Sequence, residues 1–523
     1  MKKTFLTSLI LFFLLFISIV SAYAQAGFLD TSFGINGIVR HDVNGGNDYA
    51  LSTAIQSDGK ILMAGFAHID SITENDFVVV RFLENGKLDS SFGIYGICTT
   101  DFGNADDEAW SMCLQNDGKI ILAGRALINY QYDFAIVRYT AHGTLDTTFN
   151  GDGKVISNLG GMNDYANCVK IQNDGKIVVS GFTNSGGINQ SATCRYNSNG
   201  SLDSSFDNDG MVYTTIGNVY IDGQSLCLQN DGKIIACGTT RVTASEYDIF
   251  LIRYNNDGSL DTTFDNDGML TQDIGYHDDA YAIALQNDGK IVVVGASYDT
   301  INISLGKNIA ITRFLQNGRL DSTFNGNGKV FIEATTQADY ANAITIQSNG
   351  KIVVAGRAAD GVSNFRIILA RVLSDGSIDN SFGSNGIVET DMANVHEFGQ
   401  SLSLQQDGKI IVSGFVNNGS DFNMFVARYI GDVVWPNRVE ENFKWHFSLY
   451  PNPTKNAVSL RFSSFIQQGI VTIFTMKGEK IVEKKVSNSD TFLLETQSLM
   501  KGNYLLKVHT DKQEQHAEIL SID

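Results

Sequence analysis

The stretch LDTSFGINGIV, Leu29 to Val39, returns six times: LDSSFGIYGIC at Leu88, LDTTFNGDGKV at Leu145, LDSSFDNDGMV at Leu202, LDTTFDNDGML at Leu260, LDSTFNGNGKV at Leu320 and IDNSFGSNGIV at Ile378. A second stretch, QSDGKI at Gln56, returns as QNDGKI at Gln115, Gln172, Gln229 and Gln286, as QSNGKI at Gln347 and as QQDGKI at Gln405. Successive copies lie 59, 57, 57, 57, 61 and 58 residues apart. A fixed period of this length marks an array of supersecondary units. Each later LDxxF copy closes a unit that a glutamine motif opened. The first copy closes nothing, because no unit precedes it.

Residues around Gly289 to Val330 serve as a type unit. YAIALQ is a short run ending at a turn, and NDG suits a three-residue hairpin loop with Gly289 in the left-handed position. KIVVVGAS is β-branched and apolar, NIAITRF is a third strand, and KVFIEA, after the connection RLDSTFNGNG, is a fourth. Each unit therefore holds four antiparallel strands, a to d. The chain's three prolines, Pro436, Pro451 and Pro453, all lie outside the repeats, so none interrupts a strand. Four-stranded units arranged about a centre make a β-propeller. The phase shift then has one economical solution. The first d strand, Ile38 to Val43, pairs with the last c strand, NMFVARY (Asn423 to Tyr429), and completes a seventh blade. Closure removes two sheet edges that would otherwise invite aggregation. It also requires Asp30 to lie beside Arg428.

The combination GxLDxSFGxxG with QxDGKI resembles the delta-60 repeat of bacterial secreted proteins. The resemblance spans about residues 27–430 and implies a seven-bladed propeller-like fold, with no settled activity.

The chain opens with MKKTFLTSLILFFLLFISIVSAYAQ. Two lysines, an apolar core and Ala22-Tyr23-Ala24 read as a signal peptide over residues 1–24. The propeller is assigned to residues 25–430, a linker to 431–442 and a separate β domain to 443–523. Residues 25–429 carry 46 acids against 25 bases. That field repels nucleic acid and anionic lipid, and no transmembrane span is expected after the signal peptide. Cys98, Cys113, Cys168, Cys194, Cys227 and Cys237 sit in apolar runs without CxxC spacing and read as small core residues.

An arginine stands late in strand c of every unit: Arg81, Arg138, Arg195, Arg253, Arg313, Arg371 and Arg428. Asp89, Asp146, Asp203, Asp261, Asp321 and Asp379 follow the first six by eight residues, and Asp30 is left for the seventh. Across a c–d hairpin with a three-residue loop these charges oppose one another, and a buried charge needs a partner. A rival reading makes each aspartate the cap of the turn formed by the next residues. FDNDG (Phe206 to Gly210, Phe264 to Gly268) and YNNDGSLD (Tyr254 to Asp261) resemble pieces of calcium loops, but Arg253 stands where a first ligand belongs and turn chemistry explains the residues equally well. No cofactor is expected; calcium is the one candidate.

In a propeller the b–c and d–a connections share a face. Stretches there differ from blade to blade: Ala67 to Asp76, Ala126 to Asp133, Thr183 to Ser191 and Ser297 to Asn308 read as variable loops, where binding usually resides. On the same face Asp48, Asp107, Asp164, Asp278, Asp339 and Glu397 precede the glutamine by eight residues, and Asp222 by seven. As channel-mouth acids they could hold a cation or sugar hydroxyls; alternatively each serves its own d–a turn. His41, His68, His142, His277 and His396 hold unrelated positions, and no catalytic triad or phosphate loop is evident. The expected function is a secreted or surface binding or adhesion scaffold, with a glycan or a surface protein as partner. The alternative is a propeller glycoside hydrolase or lyase acting on extracellular polysaccharide, with two mouth carboxylates as acid and base.

Residues 443–523 contain FSLYPNPTKNAVSLRF, IVTIFTMKGEKIVEKKV, DTFLLETQ and GNYLLKVHT, strands divided by turn residues and consistent with a small β-sandwich. YPNPTKN at Tyr450, MKGEKI at Met476 and MKGNYLLKV at Met500 make this segment similar to the type A C-terminal sorting domain of the type IX secretion system. That resemblance implies the type IX machinery as a partner and passage from the periplasm to the outside of a Bacteroidota-type cell.

Overall fold

A computed structural model describes residues 26–432 and 447–522 except 71–73, 104, 217–219, 244–245, 299–305, 362–363, 393–395, 451, 453, 476–479 and 511–514. The signal peptide and nearly all of the linker fall outside the described residues. The chain divides into two units, Met1–Trp435 and Pro436–Asp523.

The first unit is seven antiparallel four-stranded sheets. Blade 1 runs Asp48–Ile55 (a), Ile61–Asp70 (b), Glu74–Phe82 (c) and Ile97–Thr100 (d), and the next five repeat this order along the chain. Blade 7 is composite. Glu397–Leu404, Ile410–Asn417 and Phe422–Tyr429 supply a, b and c, and Ile38–His41 supplies d. Val39 pairs with Val426 and His41 with Met424. Leu29 bridges Tyr429, Asp30 N–H donates to the Arg428 carbonyl at 2.8 Å, and Gly27 N–H donates to Ile430 at 2.7 Å. The paired strand stops two residues short of the expected Val43, whose N–H donates instead to Asp48.

Strand b opens with an apolar run because both of its faces there are covered by neighbouring blades. Ile177, Val178 and Val179 of blade 3 are all fully buried. Strand a carries a bulge in every blade, as between Ala166 and Cys168. Opposite it stands the glycine that ends the apolar run: a Cβ on Gly181 would lie 1.8 Å from the Tyr165 carbonyl oxygen, and Gly65 and Gly414 are equally tight. Only glycine admits so close an approach of strand a. Across the blades, Tyr196 donates to Ser157 at 2.9 Å, and the Tyr429 and Thr390 hydroxyls lie 2.8 Å apart. The six cysteines are free thiols in these cores.

Two of the expected variable loops are instead tight hairpins. Strands b and c of blade 2 run to Ile128 and from Gln131, joined through Asn129 and Tyr130, both at positive φ (52° and 67°). Gly186 and Gly187 join Ser185 to Ile188 in the same way. Two-residue turns with positive φ match the twist of the strands, so the polar stretches continue the sheet. In blade 1 the strands likewise extend to Asp70 and from Glu74.

The second unit is one five-stranded sheet, in which the long strands Ala457–Thr475 and Lys480–Glu495 pair along their length. The register shifts between Arg461 and Ile466. Before the shift the other edge pairs with Phe447–Tyr450; after it, with Gly502–Thr510. The two halves share a core of Phe447, Leu460, Ile473, Leu506 and Leu520, so a single bent sheet forms both layers.

Candidate functional site

Two repeated constellations occupy opposite faces of the ring. On the face of the a–b and c–d turns, each late strand-c arginine meets its aspartate. Arg81 Nε lies 2.9 Å from Asp89, Arg195 2.7 Å from Asp203, and Arg428 2.9 Å from Asp30. Arg138–Asp146, Arg253–Asp261, Arg313–Asp321 and Arg371–Asp379 repeat this at 2.7–2.8 Å. The two expected roles of the aspartate coexist, one on each oxygen. Asp146 Oδ2 accepts Arg138, while Oδ1 accepts the N–H and hydroxyl of Thr148.

Two further repeated residues and a backbone carbonyl join this network. The guanidinium lies over the phenylalanine of the following turn, Arg81 on Phe92 at 4.3 Å and Arg428 on Phe33 at 4.6 Å. The lysine of the glutamine motif reaches the same carboxylate, Lys176 to Asp203 at 2.8 Å. Arginine Nη1 donates to a carbonyl in the next blade's c–d turn: Arg81 to Ala141, and Arg428 to Glu84 across the closure. Blade 7 has no continuous c–d turn to offer Arg371, and the Asp432 carboxylate takes that place at 2.9 Å. Burial raises the Asp146 carboxyl, but Thr148, Lys119 and Arg138 outweigh it and bring the pKa to about 2. The constellation is a strut between blades.

On the opposite face, the seven acids sit where strand a begins, and six are almost wholly buried. Each of those six accepts a backbone N–H of its own d–a turn: Asp48 from Val43 (2.7 Å), Asp107 from Phe102 (2.6 Å), Asp164 from Leu159 (2.7 Å), Asp278 from Ile274 (2.6 Å), Asp339 from Ala334 (2.8 Å) and Glu397 from Met392 (2.5 Å). Asp222, one place later, is half-buried and accepts the Tyr220 hydroxyl at 3.5 Å. Among the described residues no three of the seven gather at metal-binding distance. Burial pushes Asp48 and Asp107 up to about 7. The FDNDG motifs are turns, with Asp209 and Asp267 each accepting the N–H two residues on at 2.9 Å.

A different feature dominates this face. The residue after each acid reads Tyr49, Glu108, Tyr165, Gly223, Asp279, Tyr340 and Phe398, and Tyr49, Tyr165 and Phe398 meet rings of the preceding blade. Tyr49 packs on Phe415 and Phe422 (4.9 and 5.5 Å); Phe398 stacks on Phe415 (4.7 Å) and meets Phe365 (5.5 Å). Arg357 lies over Tyr340, Phe365 and Phe398. A second cluster joins Arg125 to Trp110, Tyr132 and Tyr165, with Phe182 stacked on Tyr165 at 4.7 Å. A third runs from Tyr220 through Tyr247 and His277 to Tyr298, where Lys307 lies over the ring. All of these side chains are half-buried. Beside the second cluster Tyr130, Met162 and Ile188 are 97, 58 and 47% exposed.

Family models match both units. A domain described as "domain of unknown function (DUF5122) beta-propeller" matches residues 56–92, 115–149, 172–206, 229–264, 286–324 and 347–382. The ring is built of DUF5122 β-propeller repeats. Six matches against seven blades follow from the closure: blade 7's glutamine motif and its LDxxF motif lie at opposite ends of the chain. Residues 448–522 match a secretion system C-terminal sorting domain. That tail engages the type IX machinery and directs export to the cell surface or the medium. No curated protein matches the chain. Solved structures that are similar include a fungal alcohol oxidase of the AA5 family in complex with copper (12% identity, 93% of this chain and 98% of that one, TM-score 0.41). Others are a protein of unknown function from Dyadobacter fermentans (10%, 76% and 100%, 0.37) and a PL25 ulvan lyase (11%, 79% and 95%, 0.40). At these identities and scores they carry no argument about chemistry.

Proposed function

We propose that the DUF5122 ring is an extracellular binding module that takes neutral glycans on the face of the b–c and d–a connections. The observation that carries this reading is the set of three half-buried aromatic clusters, each with an arginine or lysine over its rings. Aromatic faces stack on the C–H faces of sugars, and polar groups at the ring edges select hydroxyls. The acidity of the ring disfavours polyanionic chains. The seven acids offer weak support for glycosidase or lyase chemistry, because six are buried and tied to backbone N–H groups.

The test is a glycan array on the mature protein, followed by calorimetry with the best neutral oligosaccharide. Phe398→Ala and Tyr165→Ala should each weaken binding about tenfold or more, the order of one lost stacking contact of about 1.5 kcal/mol. Absence of any glycan hit, or full affinity in both variants, defeats the reading. Steady turnover of a polysaccharide would favour the enzymatic alternative.

A further inference from the structure

At the junction of blades 1 and 2 three carboxylates from three elements meet. Asp76 is the third residue of strand c in blade 1, Asp101 follows strand d, and Asp107 begins strand a of blade 2. One oxygen of each lies within 4.8 Å of one from each of the others. Asp107 is 1% exposed. Its Oδ2 accepts the Phe102 N–H at 2.6 Å, whereas its buried Oδ1 accepts no hydrogen bond.

The same three positions at other junctions show what usually occupies them. At blades 2 and 3, the Asn158 amide donates to Asp133 at 2.9 Å. At blades 3 and 4, Gln190 donates to Thr215, also at 2.9 Å. At blades 6 and 7, a guanidinium replaces the strand-c acid, with Arg366 3.6 Å from Asp391. Blades 4 and 5 again bring three acids together, Asp248, Asp273 and Asp278, but there both oxygens of Asp278 accept hydrogen bonds, from Ile274, Gly275 and Ser297. Of these junctions, only the first combines three clustered carboxylates with a buried aspartate oxygen that accepts no hydrogen bond.

We infer that Asp76, Asp101 and Asp107 bind one divalent cation of the calcium class and so pin blade 1 to blade 2. An all-oxygen donor set without histidine or thiolate suits a hard cation, and three negative charges draw it in. Asp101, the least buried of the three, gives the ion a route and leaves room for water ligands.

Calorimetry with calcium chloride at pH 8, on full-length protein stripped with a chelator, should show an ion lost on Asp107→Asn. Calcium should also raise the melting temperature of the wild type. Asp101→Asn, at the half-buried position, should leave the calcium-free melting temperature unchanged while weakening calcium at least tenfold. Asp248→Asn should bind as the wild type does. No heat and no thermal shift up to roughly 5 mM, above the span of extracellular calcium modules, overturns the site. So does wild-type affinity in Asp101→Asn, or loss of the ion on Asp248→Asn.

Discussion

Replacing Asp30 by asparagine tests the ring closure with an internal control. The substitution keeps an oxygen for the Ser32 N–H, 3.0 Å away, and removes the charge facing Arg428 at 2.9 Å and Lys409 at 3.7 Å. Arg428 is only 4% exposed, so water cannot replace the lost partner. Breaking a buried pair from one side costs about 3 kcal/mol. Over the roughly 400 residues of the ring, unfolding entropy is roughly 0.8 kcal/mol/K, so the melting temperature should fall by about 4 °C. Asp203→Asn removes the same interaction inside blade 3, where the chain is continuous, and should cost a similar amount. The two variants should part in hydrogen exchange. Asp30→Asn should speed exchange in residues 38–41 and 424–427, the ladder that only the closure holds, and Asp203→Asn should leave it protected. A shift under about 1 °C, or equal exchange of that ladder in both variants, would refute the reasoning.

Gly181→Ala puts a methyl 1.8 Å from the Tyr165 carbonyl oxygen and should cost about 3 kcal/mol, read by chemical denaturation; a loss under about 0.5 kcal/mol counts against the close approach. Asp48→Asn should show the opposite sign at alkaline pH. Burial, with Asp42 and Asp421 nearby, raises Asp48 from 3.8 to about 7 in the folded state, so the stability present at low pH is lost as pH rises from about 4 to 7. The asparagine should therefore melt higher than wild type at pH 8 and alike at pH 4; a lower melting point at pH 8 rules this out.

The blade was legible because its determinants repeat: alternation, turn glycines and the arginine–aspartate interval recur in every unit. The closure was legible from one strand out of phase. The strut was read only in part. The lysine and phenylalanine that complete it lie about 27 residues before and three after the aspartate, as Lys176 and Phe206 do for Asp203, and no single-strand pattern joins them. The aromatic face was missed for a different reason. Its position reads as tyrosine, phenylalanine, acid or glycine in different blades, and the contacts that make a cluster, such as Phe398 with Phe365, cross between blades. The polar stretches around Asn129 and Gly186 read as loops because composition does not reveal that paired positive φ values would carry the sheet onward.

The composite blade also orders events during synthesis. Ile38–His41 are made early and wait for Phe422–Tyr429, almost 390 residues later, before they have a partner. Closing so long a chain segment carries an entropic cost that grows only slowly with length, and the other six blades can form meanwhile. The sorting tail, residues 448–522, is encoded just beyond that last partner strand. A chain cut short anywhere before Tyr429 thus lacks the means to shut the ring and also the address that sends it out. Completeness of the ring and permission to leave are written into one stretch of polypeptide.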